Sequence, residues 1–457
     1  MSQTQKVLDN IWAALRGPTP FLDHVNEAEH GAMPSAFAVT DFATASIASA
    51  GLALAEFVAL RGALSPHVTV DRRLASFWFA KSIRPMGWSL PPQWDPIAGN
   101  YATKDGFIRL HTNAAHHRAA CLRVLDCEAD AKSVTESVRR WGATELQEAI
   151  IAEGGVAAKM LSPSEWAEHP QGKAVALEPL VHWETRSGAS LRAFGRPDRP
   201  LEGLRVLDLT RILAGPVATR FLAAYGADVL RIDPPEWDEP AVLPEVTPGK
   251  RRARLDLTRN DDRKIFEERL SEADVIVHGY RSDGLEKLGF GLASRQLINP
   301  DLIDVALNAY GWTGPWVARR GFDTIVQMSA GLAASEMRHA NVQAPQQLPV
   351  QALDYGTGHM MAAAVIRALS EAQQGKRSSI RFSLSRTAAF LAQWPQTTGE
   401  MLLAENDGDL QTNLEMTHWG AARRLKPPLT VDGIDFTFSR PAGLLGSDTA
   451  TFDNVSV

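Results

Sequence analysis

Leu204-Arg205-Val206-Leu207-Asp208-Leu209, then Leu213-Ala214-Gly215-Pro216, then Asp228-Val229-Leu230-Arg231-Ile232-Asp233, is the stretch that decides the fold. An apolar strand, a helix opened by Gly-Pro and a second apolar strand make a βαβ unit. Strand–helix alternation continues through 253–257, 265–272, 274–278, 285–288 and 302–307. Short apolar strands interleaved with helices imply a parallel sheet covered on both faces. The expected fold class is therefore α/β, a Rossmann-like parallel-sheet domain joined to a smaller α/β domain. Asp233 stands where a dinucleotide enzyme keeps its ribose-binding acid. The first turn, however, carries one glycine where the dinucleotide fingerprint needs three, which argues against NAD.

Downstream of this unit, Val350-Gln351-Ala352-Leu353-Asp354-Tyr355-Gly356-Thr357-Gly358-His359 enters a long Ala-rich helix. Upstream, Val39-Thr40-Asp41-Phe42-Ala43 does the same. Each helix is followed by a polar turn, an alternating strand (Val68/Val70 and Ile380/Phe382) and a helix with aromatics. The spacing predicts a duplicated unit in which one copy retains a working site. The expected divisions are an N-terminal arm with the partial repeat (1–90), a small α/β domain (91–195), the Rossmann-like domain (201–395) and a C-terminal return segment (396–457).

Around these units the chain is unremarkable in bulk: 457 residues, 45% hydrophobic, 22% charged, formal charge −6. That balance argues against a nucleic-acid or membrane-surface binder. A helix over residues 5–15 opens the chain without an apolar signal run. No stretch reads as the ~20 apolar residues of a membrane span. Cys121 and Cys127, in a helical stretch, suit a reducing compartment, and a cytoplasmic location is expected. Pro85 to Asn100 reads as a linker, Tyr101 to Leu110 as an Asp-Gly hairpin, and 186–200 as a boundary. His111, His116 and His117 show no metal-ligand spacing and read as surface or capping groups, so no metal site is expected.

Several stretches resemble the family III CoA-transferases: Leu201-Glu202-Gly203-Leu204-Arg205-Val206-Leu207-Asp208-Leu209-Thr210-Arg211, Leu213-Ala214-Gly215-Pro216, Gly226-Ala227-Asp228-Val229, Gly249-Lys250-Arg251-Arg252, Tyr280-Arg281, Gly311-Trp312-Thr313-Gly314-Pro315 and Gly321-Phe322-Asp323 before Asp354. Residues 35–175 resemble the later part of such a protein, so the chain looks like two incomplete copies fused. The resemblance implies that fold, and CoA transfer between an acyl-CoA and a carboxylic acid through an aspartyl anhydride and an aspartyl-CoA thioester at Asp354. Read from the residues alone, Asp354 is first a helix cap, and only the resemblance makes it a nucleophile. Gly356 and Gly358 are expected to give room and backbone N–H groups to an oxyanion.

The resemblance further implies coenzyme A contacts from Arg211, Leu213, Ala214, Leu255, Tyr280 (adenine stacking), Lys287, Arg320 and Phe322. It implies coenzyme A as substrate, no permanently bound cofactor, and an interlocked homodimer. The other readings are an acyl-CoA-binding pseudoenzyme and an α-methylacyl-CoA racemase-like isomerase. The second would need a proton carrier where this chain has Phe322.

Overall fold

Seven strands build the main sheet of the computed structural model, which describes residues 1–62, 65–281, 283–397 and 399–453. They are β1 (His182–Ser187), β2 (Arg205–Leu209), β3 (Asp228–Asp233), β4 (Lys250–Arg254), β5 (Val275–His278), β6 (Ile303–Asn308) and β7 (Lys376–Ser383). Their order is β4-β3-β2-β5-β6-β7-β1. Every pairing from β4 to β7 is parallel, and β1 closes the edge antiparallel to β7. Chain direction across the sheet reverses between β2 and β5, and the crevice beyond the carboxyl ends there is where open α/β sheets bind ligands. The polar stretch that reads as a boundary thus begins in an edge strand of this sheet.

The third parallel strand is Lys250–Arg254, three residues earlier than its hydrophobic pattern predicts. Its charges are buried because each is answered. Lys250 Nζ lies 2.9 Å from Asp208, Arg251 Nε 3.0 Å from Asp228 and Arg252 Nε 3.2 Å from Asp448. Periodicity registers apolar side chains and overlooks paired ions.

Helices α1 (Val39–Ala59), α2 (Ala214–Ala224), α3 (Asp323–Ser329) and α4 (Ala352–Ala372) pack in the core on one face of the sheet. A smaller apolar cluster, with Leu207, Leu230, Phe266 and Phe452, covers the other. α1 and α4 are both 21 residues long, carry aspartate at their third position, and enter from cap residues with matching dihedrals (φ −72°, ψ 59° and φ −78°, ψ 63°). Each leads to a strand and a short helix whose first turn is capped by Asp71 or Ser383. The repeat is therefore structural. The strand after α1 does not join the large sheet: among the described residues Val68–Asp71 pairs with Val25–Ala28 and Leu429–Val431.

α1 corrects the expectation about membrane length. It is long and apolar enough to cross a bilayer, but almost all of it is buried inside the protein. Glu56, its one charge besides Asp41, pairs with Arg367 of α4.

The two glycines of α4 serve this packing. A Cβ on Gly356 would lie 2.1 Å from the Phe42 ring, and one on Gly358 would lie 2.5 Å from the Ala214 carbonyl oxygen. They give room to helices rather than to a ligand, and their N–H groups lie past the open first turn. The oxyanion role expected of them is corrected on both counts.

The smaller unit contains the hairpin Gly99–Ala102/Phe107–Leu110 extended by Ala157–Lys159, three helices over 115–152, and its own apolar core. Before the hairpin, the proline-rich segment that reads as a linker lines, through Pro92, Gln93, Trp94 and Asp95, the site described next.

Candidate active site

Asp354 sits at the third position of α4, 5% exposed, where two cavities meet. One, about 480 Å³, runs over the carboxyl ends of β2 and β5 and is lined by Arg211, Tyr280, Arg281, Lys287, Arg319 and Arg320, with Asp354 its one acid among the described residues. The other, about 220 Å³, reaches toward the small unit and is lined by Trp94, His111, Asn113 and Trp237. Ile212, Leu213, Trp237, Phe322 and Asp354 line both. A ligand with an anionic end, laid in the first cavity, would pass its other end across Asp354 into the second.

The cap of α4 is Asp323, the first residue of α3. Its carboxylate accepts the Asp354 backbone N–H at 2.9 Å and that of Leu353. Gln327 also donates to it. Asp354 is thereby relieved of capping, and its own carboxyl has no hydrogen-bond partner among the described residues. Burial first, and then the Asp323 charge, push its pKa well above the ordinary carboxylate range. Burial likewise holds Asp323 up at about 6. A desolvated carboxylate without donors is a stronger nucleophile than one in water.

Asp41, at the matching position of α1, is engaged. Thr4 donates to it at 2.7 Å, and Arg72 lies 3.4 Å away while also pairing with Glu27.

The turn after β2 is strained. Ile212 has φ +64°, a left-handed conformation that β-branched residues avoid. Its N–H is held by Glu239 at 2.8 Å, and Glu239 in turn pairs with the buried Arg231 at 2.6 Å. That conformation turns Arg211 outward, with its guanidinium 4.9 Å from the Trp237 ring centroid and 5.0 Å from that of Tyr280. Asp233, the acid a dinucleotide reading requires, is fully buried on Arg231 at 2.8 Å.

Residues 201–419 match the family model described as CoA-transferase family III. They form a CoA-transferase family III domain. Over a longer span, the chain is 29% identical to the acetyl-coenzyme A transferase nodX of Hypoxylon pulicicidum, across 83% of this chain and 67% of that protein. It is 34% identical to the succinate–glutarate CoA-transferase of Agrobacterium fabrum, across 29% of this chain and 38% of that one. A crystal structure of Rv3272 from M. tuberculosis aligns with TM-score 0.41 at 32% identity, covering 43% of this chain and 57% of that one. The last two alignments thus span less than two thirds of the relatives' own lengths.

Within the family III domain, Arg211, Leu213, Ala214, Tyr280, Lys287, Arg320 and Phe322 all line the larger cavity together with Asp354. Leu255 does not. It packs in the apolar cluster on the far face of the sheet. The Tyr280 ring is covered by Arg211, whose Nη2 donates to the Tyr280 hydroxyl at 3.0 Å. Lys287 is tied to Asp283 at 2.5 Å. Arg320 is half-buried and reaches the Gly154 carbonyl of the small unit at 3.3 Å.

The small unit closes the family III domain's site within the same chain. His111 stacks on Phe322 with ring centroids 3.9 Å apart, and His117 meets the same ring edge-on at 6.0 Å. Both are buried, and burial pushes both down to about 3, so they are neutral imidazoles. Among the described residues, His111 Nδ1 and both His117 nitrogens lack hydrogen-bond partners. The reading as surface groups is corrected for His111 and His117, since adjacency in sequence carries no sign of the Phe322 ring they pack on, while His116 is exposed as expected. Asp323 was also overlooked as a site residue, although it ends the Gly321-Phe322-Asp323 stretch.

Proposed function

We propose that the chain moves coenzyme A between an acyl-CoA and a carboxylic acid, with Asp354 as the covalent nucleophile. The observation that carries this reading is the unpartnered, buried Asp354 carboxylate at the junction of a cationic cavity and a smaller one. Coenzyme A lies in the first, its phosphates among Arg211, Arg281 and Arg320, its thioester at Asp354. The Asp354 oxygen attacks the thioester carbon, the C–S bond breaks, and the thiolate leaves an acyl-aspartyl anhydride. The thiolate then attacks the aspartyl carbonyl, releasing the donor carboxylate and forming aspartyl-CoA. An acceptor carboxylate attacks that thioester, and returning thiolate takes the acceptor acyl group, regenerating Asp354. His111 and Phe322 exclude water from the anhydride, whose hydrolysis would abort transfer.

Incubation with acyl-CoA and then hydroxylamine, followed by peptide mass mapping, tests the reading. The expected result is a hydroxamate on Asp354; tight coenzyme A binding with no adduct would leave an acyl-CoA-binding protein instead.

His111 supports one further reading. A neutral imidazole beside Phe322, in the cavity with Asp354, resupplies the proton carrier that a racemase-like isomerase needs. Exchange of the α-hydrogen of a 2-methylacyl-CoA in D2O would favour isomerisation, and transfer without exchange excludes it.

A further inference from the structure

A third chamber, about 570 Å³, opens beside the smaller Asp354 cavity and shares Ala80, Lys81, Gln93, Trp94, Thr324 and Gln351 with it. Its charged lining residues are Lys81, Arg84 and Arg109, and no aspartate or glutamate lines it among the described residues. Arg84 is neutralised by Glu405, Nε to Oε1 at 2.7 Å. Arg109 and Lys81 have no ion pair among the described residues. Arg109 is 7% exposed, its guanidinium sits 4.9 Å from the Trp94 ring centroid, and Nη1 donates to Asn100 at 2.9 Å. Its Nε is buried with no partner. Asp323 acts on it only through space. Nearby, both amide atoms of Gln347 are buried and unpartnered.

Burying a guanidinium without a counter-ion is unfavourable unless something else supplies the charge. The cavity leading here from Asp354 carries Asp95, Asp238, Glu239 and Glu245 against Lys81, so a carboxylate lying beyond it in the chamber is better placed than one left within it. Resting on the transferase reading above, we propose that the chamber takes the remote carboxylate of a dicarboxylic substrate whose reacting carboxyl lies at Asp354. That substrate is either the acceptor acid or the acyl group of the donor thioester; the recognition chemistry is the same.

The test uses dicarboxylates from succinate to adipate against their ω-monoamides, which keep length and lose the remote charge. One arm supplies them as acceptors with acetyl-CoA, the other as CoA thioesters with acetate. The expected result is a dicarboxylate-to-monoamide ratio in kcat/KM of at least tenfold at one or more lengths, collapsing toward one in Arg109→Gln and partly kept in Arg109→Lys. Lys81→Gln, at a half-buried position, lowers the ratio too and stands in should Arg109→Gln fail to fold. A ratio near one at every length in both arms would overturn the proposal. If no acid is transferred and no adduct forms, the transferase reading has failed. Calorimetric binding of each dicarboxylate and monoamide to the full chain then decides the chamber by the same tenfold criterion.

Discussion

The carboxylate of Asp323 accepts the backbone N–H of Asp354 at 2.9 Å, so one buried acid fixes the helix end that presents another. The contact positions Asp354 and also places a second negative charge beside it. The nucleophile must be ionised, so turnover rises with pH through its elevated pKa. Asp323→Asn keeps an acceptor oxygen for the cap and removes the charge. Its pH–rate profile is expected to move its acid limb to lower pH by ~1 unit. An unmoved limb would mean that Asp323 acts through geometry alone.

The two matching aspartates should respond oppositely to the same change. Asp41→Asn weakens a buried pairing with Thr4 and Arg72, at about 1–3 kcal/mol of stability, and leaves the hydroxamate on residue 354 intact. Asp354→Asn removes the nucleophile and turnover with it. Its folded pKa is raised, so the folded state holds the proton more tightly than the unfolded chain. The associated stability is present below the unfolded value near 4 and lost as pH rises through the folded one. At pH 8 the ionised pair is therefore a cost, and Asp354→Asn is expected to melt above wild type there, with a smaller difference at pH 5. Thermal melts at the two pH values check the sign.

The βαβ core and the duplicated helix–strand–helix unit were legible because both are written in apolar periodicity, from Val206 to Ile232 and from Val39 to Phe382. The start of β4 was not, because Lys250, Arg251 and Arg252 are buried by partners 22 or more residues away in sequence. Asp354 could be singled out by its place at a helix start. Its relief from capping could not, since Asp323 belongs to another helix. His111 and Arg109 belong to the site only through the closing of the small unit over Phe322 and Trp94, contacts that no local pattern encodes.

Helix packing at the site gives a sharper test of the α4 glycines. In Gly358→Ala the new methyl meets the Ala214 carbonyl, a backbone atom that cannot step aside, with Val217 at 2.9 Å. In Gly356→Ala it meets the Phe42 ring, which can rotate only into Phe79 and Phe390, its aromatic neighbours. Both overpacked variants are expected to lose about 1–3 kcal/mol by denaturant unfolding. Alanine retains the backbone N–H, so unchanged stability in either variant would show that the packing account of that glycine is wrong.

Ile212 holds strain that the fold maintains through Glu239. A left-handed conformation costs a β-branched residue roughly 1–3 kcal/mol, and glycine adopts it freely. Ile212→Gly gives up a half-buried side chain, so relief of strain and loss of burial should nearly cancel in the melting temperature. The turn would no longer be confined to the one conformation that sets Arg211 between Trp237 and Tyr280. Coenzyme A affinity is therefore expected to fall about tenfold, which corresponds to ~1.4 kcal/mol, with the fold intact. Glu239→Gln leaves an oxygen for the Ile212 N–H but removes the counter-charge of buried Arg231, so it should cost stability first. Parallel calorimetry and thermal melts on the two variants separate these effects; a large stability loss in Ile212→Gly with unchanged coenzyme A binding would show that the strained turn serves packing alone.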